Sequence, residues 1–188
     1  MDTLQLERYV EEIDTQARFA AASAKILNDG LSSDSPGATL ICFSGAQGIL
    51  TAGALVSKLL WADTGRDWEP ERVAFAVARA EALREIVGVA KDSILKVRAV
   101  RNSVEHFDAR LDDLLRKHPT ANTIDSSVIP KSMMSVDNLV YLRHIDPETM
   151  TYSALDDEIN LQALFSAIQE AGTAAREWIQ KQSRASRA

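Results

Sequence analysis

A single cysteine, Cys42, occurs in 188 residues. That excludes an internal disulfide framework and a four-cysteine zinc site. It fits a reducing compartment, so the cytoplasm is the expected location. Eight glycines and five prolines exclude collagen-like and low-complexity classes. The three histidines, His106, His118 and His144, fall in different expected elements, and no His-Glu-x-x-His run is present. Neither a metal nor a cofactor is therefore expected. There is no Walker phosphate loop. Gly45-Ala46-Gln47-Gly48 lacks the third glycine and the preceding strand of a dinucleotide fingerprint, and reads as helix packing. No Gly-x-Ser-x-Gly nucleophile elbow occurs. Positive charge is also in short supply, with 21 Lys and Arg against 27 Asp and Glu, a net charge of −6. A wide DNA-binding surface needs massed Lys and Arg and is excluded, whereas a small local basic site is not.

The opening run Met1-Asp2-Thr3-Leu4-Gln5-Leu6-Glu7 is acidic and has no apolar centre, unlike a signal peptide. One uncharged stretch, from Ser35 to Ser57, is long enough to span a bilayer. Gly37, Gly45, Gly48, Gly53, Thr39, Ser44, Gln47 and Thr51 dilute it, and no Lys/Arg cluster flanks it. It is read as a buried core helix, and no membrane partner is expected.

What is present is helical periodicity. Leu6, Val10, Ile13, Ala17, Ala20, Ala24 and Leu27 form a stripe that Gly30 would end. The second helix, from about Ala38 to Ala62, is apolar most of the way round and should be central, its small residues letting another backbone approach closely. Pro70 suits the first turn of a third helix carrying Val73, Val77, Ala80, Leu83 and Val87. After Gly88, Asp92 or Ser93 could cap a fourth, with Val97, Val100, Val104, Phe107, Leu111 and Leu114 as its apolar seam and Pro119 at its end. Residues 119–138 show no period and read as a long loop with a Met133-Met134 pair. Leu139 to Ile145 and Met150 to Leu155 read as a hairpin around Asp146-Pro147-Glu148-Thr149. A last amphipathic helix is capped near Asn160. The expected fold is mainly α, an up-and-down bundle of about five helices with one β-hairpin before the last helix. Residues 1–182 form a single domain, and residues 183–188 a disordered tail.

The fourth helix contains Arg101-Asn102-Ser103-Val104-Glu105-His106-Phe107-Asp108. At 100° per residue, Asn102 falls nearly opposite the seam and His106 stacks four residues on. Arg101 lies one turn below Glu105. Read blandly, this is a solvated helix face with an i,i+4 ion pair worth a few tenths of a kcal/mol.

The same segment resembles the signature of the HEPN superfamily (higher eukaryotes and prokaryotes nucleotide-binding): an Arg, a polar residue, three to five residues, then His. The resemblance covers these eight residues closely and the helical layout loosely. It implies a helical bundle that pairs into a homodimer, with Arg and His of both chains facing one cleft. It also implies metal-independent endoribonuclease activity of the kind found in toxin–antitoxin and phage-defence systems, with RNA or a nucleotide as ligand and an antitoxin or nucleotidyltransferase as partner. Carried over, His106 is the acid/base for 2′-hydroxyl attack on the adjacent phosphate, and Arg101 holds that phosphate. Asn102 and Glu105 are the candidates for binding or orienting the substrate, although the family gives Glu105 no fixed role. Other members are non-catalytic and bind a nucleotide or protein partner, which is the alternative reading. A plain helical-bundle interaction protein, using the Met133-Met134 loop, is a third. Arg101 and His106 lie about 140° apart on an ideal helix, so a second chain is needed to bring one Arg to the other's His. Members controlled by an AMP-adding partner carry Tyr two places after the His. Asp108 stands there instead, so that regulation is not expected.

Overall fold

The computed structural model describes residues 2–62, 65, 67–96, 107–120, 122–134, 139–155 and 157–186. The fold is mainly helical, with five α-helices and a small set of strands before the last among the described residues. Helix α1 spans Thr3–Leu31, α2 Ala38–Leu60, α3 Pro70–Val87, α4 Phe107–Lys117 and α5 Leu161–Ala185.

The helix ends follow local chemistry. The Asp2 carboxylate accepts from the Gln5 backbone N–H at 2.7 Å while the Gln5 side chain accepts from the Asp2 N–H, a reciprocal cap for α1. Asn160 accepts from the Ala163 N–H at 2.7 Å and starts α5 as expected. Pro70 occupies the first turn of α3, and Gly88, at φ 65°, closes it in the left-handed conformation that glycine adopts without a Cβ penalty. Two arginines of α3 supply donors to the carbonyls that end α2: Arg79 bonds the Lys58 carbonyl at 3.0 Å, and Arg84 bonds that of Leu60.

The core is made by α1, α2 and α5. Val10, Ile13, Ala17, Ala20 and Leu27 of α1 meet Ala46, Ile49, Val56 and Leu60 of α2 and Leu164, Ile168, Ala171 and Ala175 of α5, all buried. The stripe read from α1 is this buried face, except that Leu6 and Ala24 are half-buried. Helices α1 and α2 run very close together. A Cβ placed on Gly45 would lie 2.4 Å from the Leu27 backbone nitrogen and 2.7 Å from the Ser23 carbonyl oxygen. One on Gly30 would lie 2.7 Å from the Cys42 nitrogen. Gly30 therefore does not stop α1, which continues to Leu31, but makes room for α2. Asp14 accepts from Arg18 within α1 and from Arg176 of α5, each at 2.6 Å, and Gln169 of α5 donates to the Ala17 carbonyl at 2.6 Å.

Helix α2 is long and apolar enough to cross a membrane by length and composition, the one such helix among the described residues. Its buried side chains fall on one face, and Leu40, Ile41, Ser44, Gln47, Thr51, Leu55 and Lys58 are exposed on the other. It is thus half-covered, rather than enclosed all round as its composition suggested.

The expected hairpin is present, Arg143–Asp146 (β4) pairing antiparallel with Thr151–Ala154 (β5), and it is part of a larger sheet. The order is β2-β4-β5-β6, with Ser127–Val128 (β2) parallel to β4 and Asp157–Asn160 (β6) antiparallel to β5. Asn122–Ile124 (β1) and Leu139–Tyr141 (β3) form a separate parallel pair. The expected strand 139–145 is therefore broken at Leu142, where the chain changes partner. Part of the expected 119–138 loop is β1, β2 and a short 3-10 turn, Lys131–Met133. Strands of two or three residues are too short for alternation to register in sequence. Residues 135–138 lie outside the described residues. The expected tail is helical through Ala185, and Arg187 and Ala188 lie outside the described residues.

Gly45→Ala should lower the melting temperature, read by circular dichroism. Overpacking against Leu27 and Ser23 backbone costs about 1–3 kcal/mol and exceeds the helix propensity gained, about 1 kcal/mol at most. Unchanged or raised stability would contradict the close helix approach.

Candidate functional site

Arg101, Asn102, Glu105 and His106 lie outside the described residues, as do Val97, Val100 and Val104 of the expected seam. The described structure resumes at Phe107, the residue after His106, so the site can be approached from what holds α4.

Two ties join α4 to one end of the four-stranded sheet. The Arg143 guanidinium, at the start of β4, lies over the Phe107 ring at 4.6 Å. It is itself held in a two-pronged pair with Asp125, at 2.8 and 2.7 Å. One turn along, Arg110 pairs with Asp157 at the start of β6, at 2.6 Å. The seam residues Phe107, Leu111 and Leu114 are only half-buried, and no residue of α4 is fully buried. At Phe107, Leu111 and Leu114 the expected core seam is therefore not fully buried, while Val97, Val100 and Val104 lie outside the described residues. α4 sits at the periphery, because the core face it would need is taken by α5 and the sheet. It ends at Lys117, ahead of Pro119, as expected.

Beyond the ties, Leu114 and Leu155 separate two cavities. One, of about 360 Å³, is lined by Arg110, Asp113, Lys117 and His118. The other, of about 250 Å³, is lined by Lys131, Tyr141, His144, Ser153 and Glu158. The second follows from strand register. Ser127, His144, Ser153 and Glu158 lie side by side across four strands, and Val128, Ile145, Tyr152 and Ile159 form the next line, on the opposite face toward the helices.

His144 is buried, its Nε2 lying 2.8 Å from the Ile129 carbonyl oxygen. A carbonyl only accepts, so Nε2 carries the hydrogen. Lys131 bonds Glu158 at 2.6 Å, and Ser153 donates to it at 3.3 Å. The Lys131 hydrogen bond holds the Glu158 carboxyl below its ordinary range against the opposing effect of burial. Behind the sheet, burial pushes the Tyr152 hydroxyl up to about 12, and its oxygen has no partner among the described residues. Burial likewise raises the Cys42 thiol.

Charge along α4 is mixed. Asp108, Asp112 and Asp113 are exposed, and Arg116 pairs with Asp113 at 3.0 Å. With Arg110 held by Asp157, the described helix presents no dense basic face. Among the described residues no three His, Cys, Asp or Glu side chains are grouped to hold a metal. Sequence reasoning missed the Arg143–Asp125 and Arg110–Asp157 ties, because each joins segments far apart in the chain without periodicity to signal it. No protein-family model, curated protein or solved structure matches the chain.

The hairpin turn carries a testable charge. Burial acts to raise the Asp146 carboxyl. Hydrogen bonds from the Thr149 hydroxyl at 2.9 Å, and from backbone N–H groups including that of Glu148 at 2.9 Å, outweigh it and bring the carboxyl below its ordinary value of 3.8. A carboxyl that titrates lower in the folded state stabilises fully above its unfolded pKa, and the stabilisation is lost as pH falls through the folded value. Wild-type stability should therefore fall below about pH 4, and Asp146→Asn should show a shallower acid dependence in chemical denaturation. Equal slopes for the two proteins would contradict this account of the turn.

Proposed function

We propose that the chain is a metal-independent endoribonuclease of HEPN type that works as a homodimer, a toxin or phage-defence component of the cytoplasm. One observation carries this reading: the Arg101-Asn102-x3-His106 spacing in a mainly helical chain. Free, buried Cys42 is in keeping with a reducing compartment.

In the proposed reaction His106 takes the proton from a ribose 2′-hydroxyl, and that oxygen attacks the adjacent phosphorus. The bond to the 5′-oxygen breaks, and the departing oxygen takes up a proton. The products are a 2′,3′-cyclic phosphate and a 5′-hydroxyl. An imidazole titrates near 6.5, which suits proton transfer at neutral pH. Arg101 balances the charge that grows on the phosphate. Asn102 and Glu105 bind or orient the substrate. A ribose hydroxyl is the nucleophile, so the step needs no metal-bound water.

The three exposed aspartates of α4 favour a second reading. Only Asp113 has a basic partner, Arg116, and Asp108 and Asp112 have none among the described residues. This negative charge, two to seven positions after His106, opposes a long phosphate backbone and suits a non-catalytic domain that binds a nucleotide or a protein partner, such as an antitoxin or a nucleotidyltransferase.

Purified protein with total RNA in excess chelator separates the two. Wild type should cut and leave 2′,3′-cyclic phosphate ends. His106→Ala should lower the rate roughly 10²–10⁴-fold, and Arg101→Ala by a comparable factor, on the order of 10²–10³. If wild type leaves RNA intact, or His106→Ala cuts equally well, the binding-domain reading replaces the catalytic one.

A further inference from the structure

The face of the four-stranded sheet turned away from the core helices holds the cavity of about 250 Å³ that His144 and Glu158 line. Several of its polar groups carry hydrogen-bonding positions that nothing among the described residues uses. His144 is 1% exposed, and its Nε2 hydrogen goes to the Ile129 carbonyl. The neutral ring keeps its lone pair at Nδ1, which has no partner among the described residues. That nitrogen is not sealed in as the unpartnered hydroxyls of Ser57 and Tyr152 are, so it opens to the cavity the ring lines. At Glu158, Lys131 and Ser153 both bond Oε1, at 2.6 and 3.3 Å, and Oε2 is left over. Lys131 keeps two N–H donors to spare. Register sets His144, Ser153 and Glu158 side by side, so the outer two stand two strand spacings apart, about 10 Å between backbones. Side chains reaching inward from both leave a gap that one small ring system can bridge.

We propose that this cavity binds an uncharged planar heterocycle with an amino-oxo-pyrimidine edge, the edge that guanine and the pterins share. The unused positions select the class. A phosphate or carboxylate is a poor occupant, because Nδ1 of His144 and Oε2 of Glu158 only accept. An organic cation is equally poor beside the Lys131 ammonium. Lys131 and Glu158 cancel in charge and present a donor next to an acceptor. The complement is a carbonyl next to an N–H, and Nδ1 calls for a second N–H beyond it. An amino-oxo-pyrimidine carries a carbonyl, a ring N–H and an amino group in that order along one edge. The carbonyl accepts from Lys131, the ring N–H donates to Oε2 of Glu158, and the amino group reaches both Glu158 and His144. Adenine would turn a ring lone pair toward the Glu158 carboxylate, and uracil a carbonyl toward the Nδ1 lone pair. The flat body of the ligand has Tyr141, Leu114, Leu139 and Leu155 to lie against. A volume of about 250 Å³ falls just under the range of about 300–1,000 Å³ that drug-sized ligands occupy, which suits one or two fused rings.

This site goes beyond the ribonuclease reading and shares no residue with Arg101, Asn102, Glu105 or His106, so either can stand without the other. Isothermal titration of the full chain with guanosine, biopterin, adenosine and uridine tests it. Guanosine, biopterin or both should bind with a dissociation constant below about 1 mM, and the tighter of the two identifies the source of the edge. Adenosine and uridine should bind at least about 10-fold more weakly, the discrimination that a two-bond edge provides. Glu158→Gln makes one acceptor a donor, and Lys131→Ala removes the donor to the carbonyl. Each should weaken binding by about 10-fold or more. The two side chains are 47% and 59% exposed, so both variants should keep the wild-type melting temperature. The NMR signal of the His144 Nδ1 should move on binding while that of the exposed His118 ring stays. Four results would overturn the proposal: neither guanosine nor biopterin binding at about 1 mM, adenosine binding as tightly as guanosine and biopterin, binding left unchanged by either variant, or a His144 signal that stays in place. RNA cleavage by His106 lies outside all of these outcomes.

Discussion

The close approach of α1 and α2 is the constraint on which the rest of the fold depends. With Gly45 against the Leu27 backbone and Gly30 against Cys42, the two helices leave no room for side chains between them at those points. Their larger apolar residues are directed to one side, where Val10, Ile13, Ala46, Ile49 and Val56 offer a continuous surface. α5 lies on that surface, with Gly172 set against Ala17 and Leu164 against Gly53. The opposite side is left with small residues and a few exposed large ones. The packed face and the open face of the pair thus have one cause.

The sheet is fitted to the same core through a single line of residues. Ile145, Tyr152 and Ile159 are buried, and Tyr152 meets Phe43 of α2 edge-on at 6.1 Å. β2 has two residues and the other three strands four each, so the sheet owes its place to this apolar contact more than to strand length. It then serves α4, whose first turns are held by Arg143 and Asp157 and not by burial. The described helix that follows the Arg-Asn-x3-His spacing in sequence is fixed by two charged side chains at the sheet's end. The reading of that segment as a ribonuclease motif remains a proposal about chemistry, independent of how the core is packed.

Much of the fold could be read from periodicity. The stripe from Leu6 to Leu27 and the α5 face of Leu161, Leu164, Ile168, Ala171 and Ala175 repeat at helical spacing over many turns, and there the apolar side chains are largely the buried ones. The Asp146-Pro147-Glu148-Thr149 turn was legible because its chemistry is local, a carboxylate bonding the turn's own N–H and hydroxyl. Three things were not legible. The burial of α4 depends on which helices occupy the core first, and Phe107, Leu111 and Leu114 repeat just as regularly on a half-covered helix. The two-residue β2 and the three-residue β1 and β3 are set by partners rather than by their own composition. The exposed stripe of α2 was masked by its uniform apolarity, since hydrophobicity reports the tendency to be covered and not whether a neighbour in the same chain does the covering. Of the site, only the residue types and their spacing were visible; the clamp that holds α4 arises from Arg143, Asp125, Arg110 and Asp157, brought together by the sheet.

The molecule divides into a core of α1, α2 and α5 and a separately held α4. Native-state amide hydrogen exchange measures that division directly, because buried, close-packed helices open only on global unfolding while helices without buried residues open locally. The amides of Ala17, Ala46, Ile49 and Ile168 should exchange with the free energy of global unfolding. Those of Leu111 to Arg116 should exchange through a much smaller opening, on the order of a hundredfold faster or more, as a difference of about 3 kcal/mol implies. Protection of α4 equal to that of α1 and α2 would contradict the account.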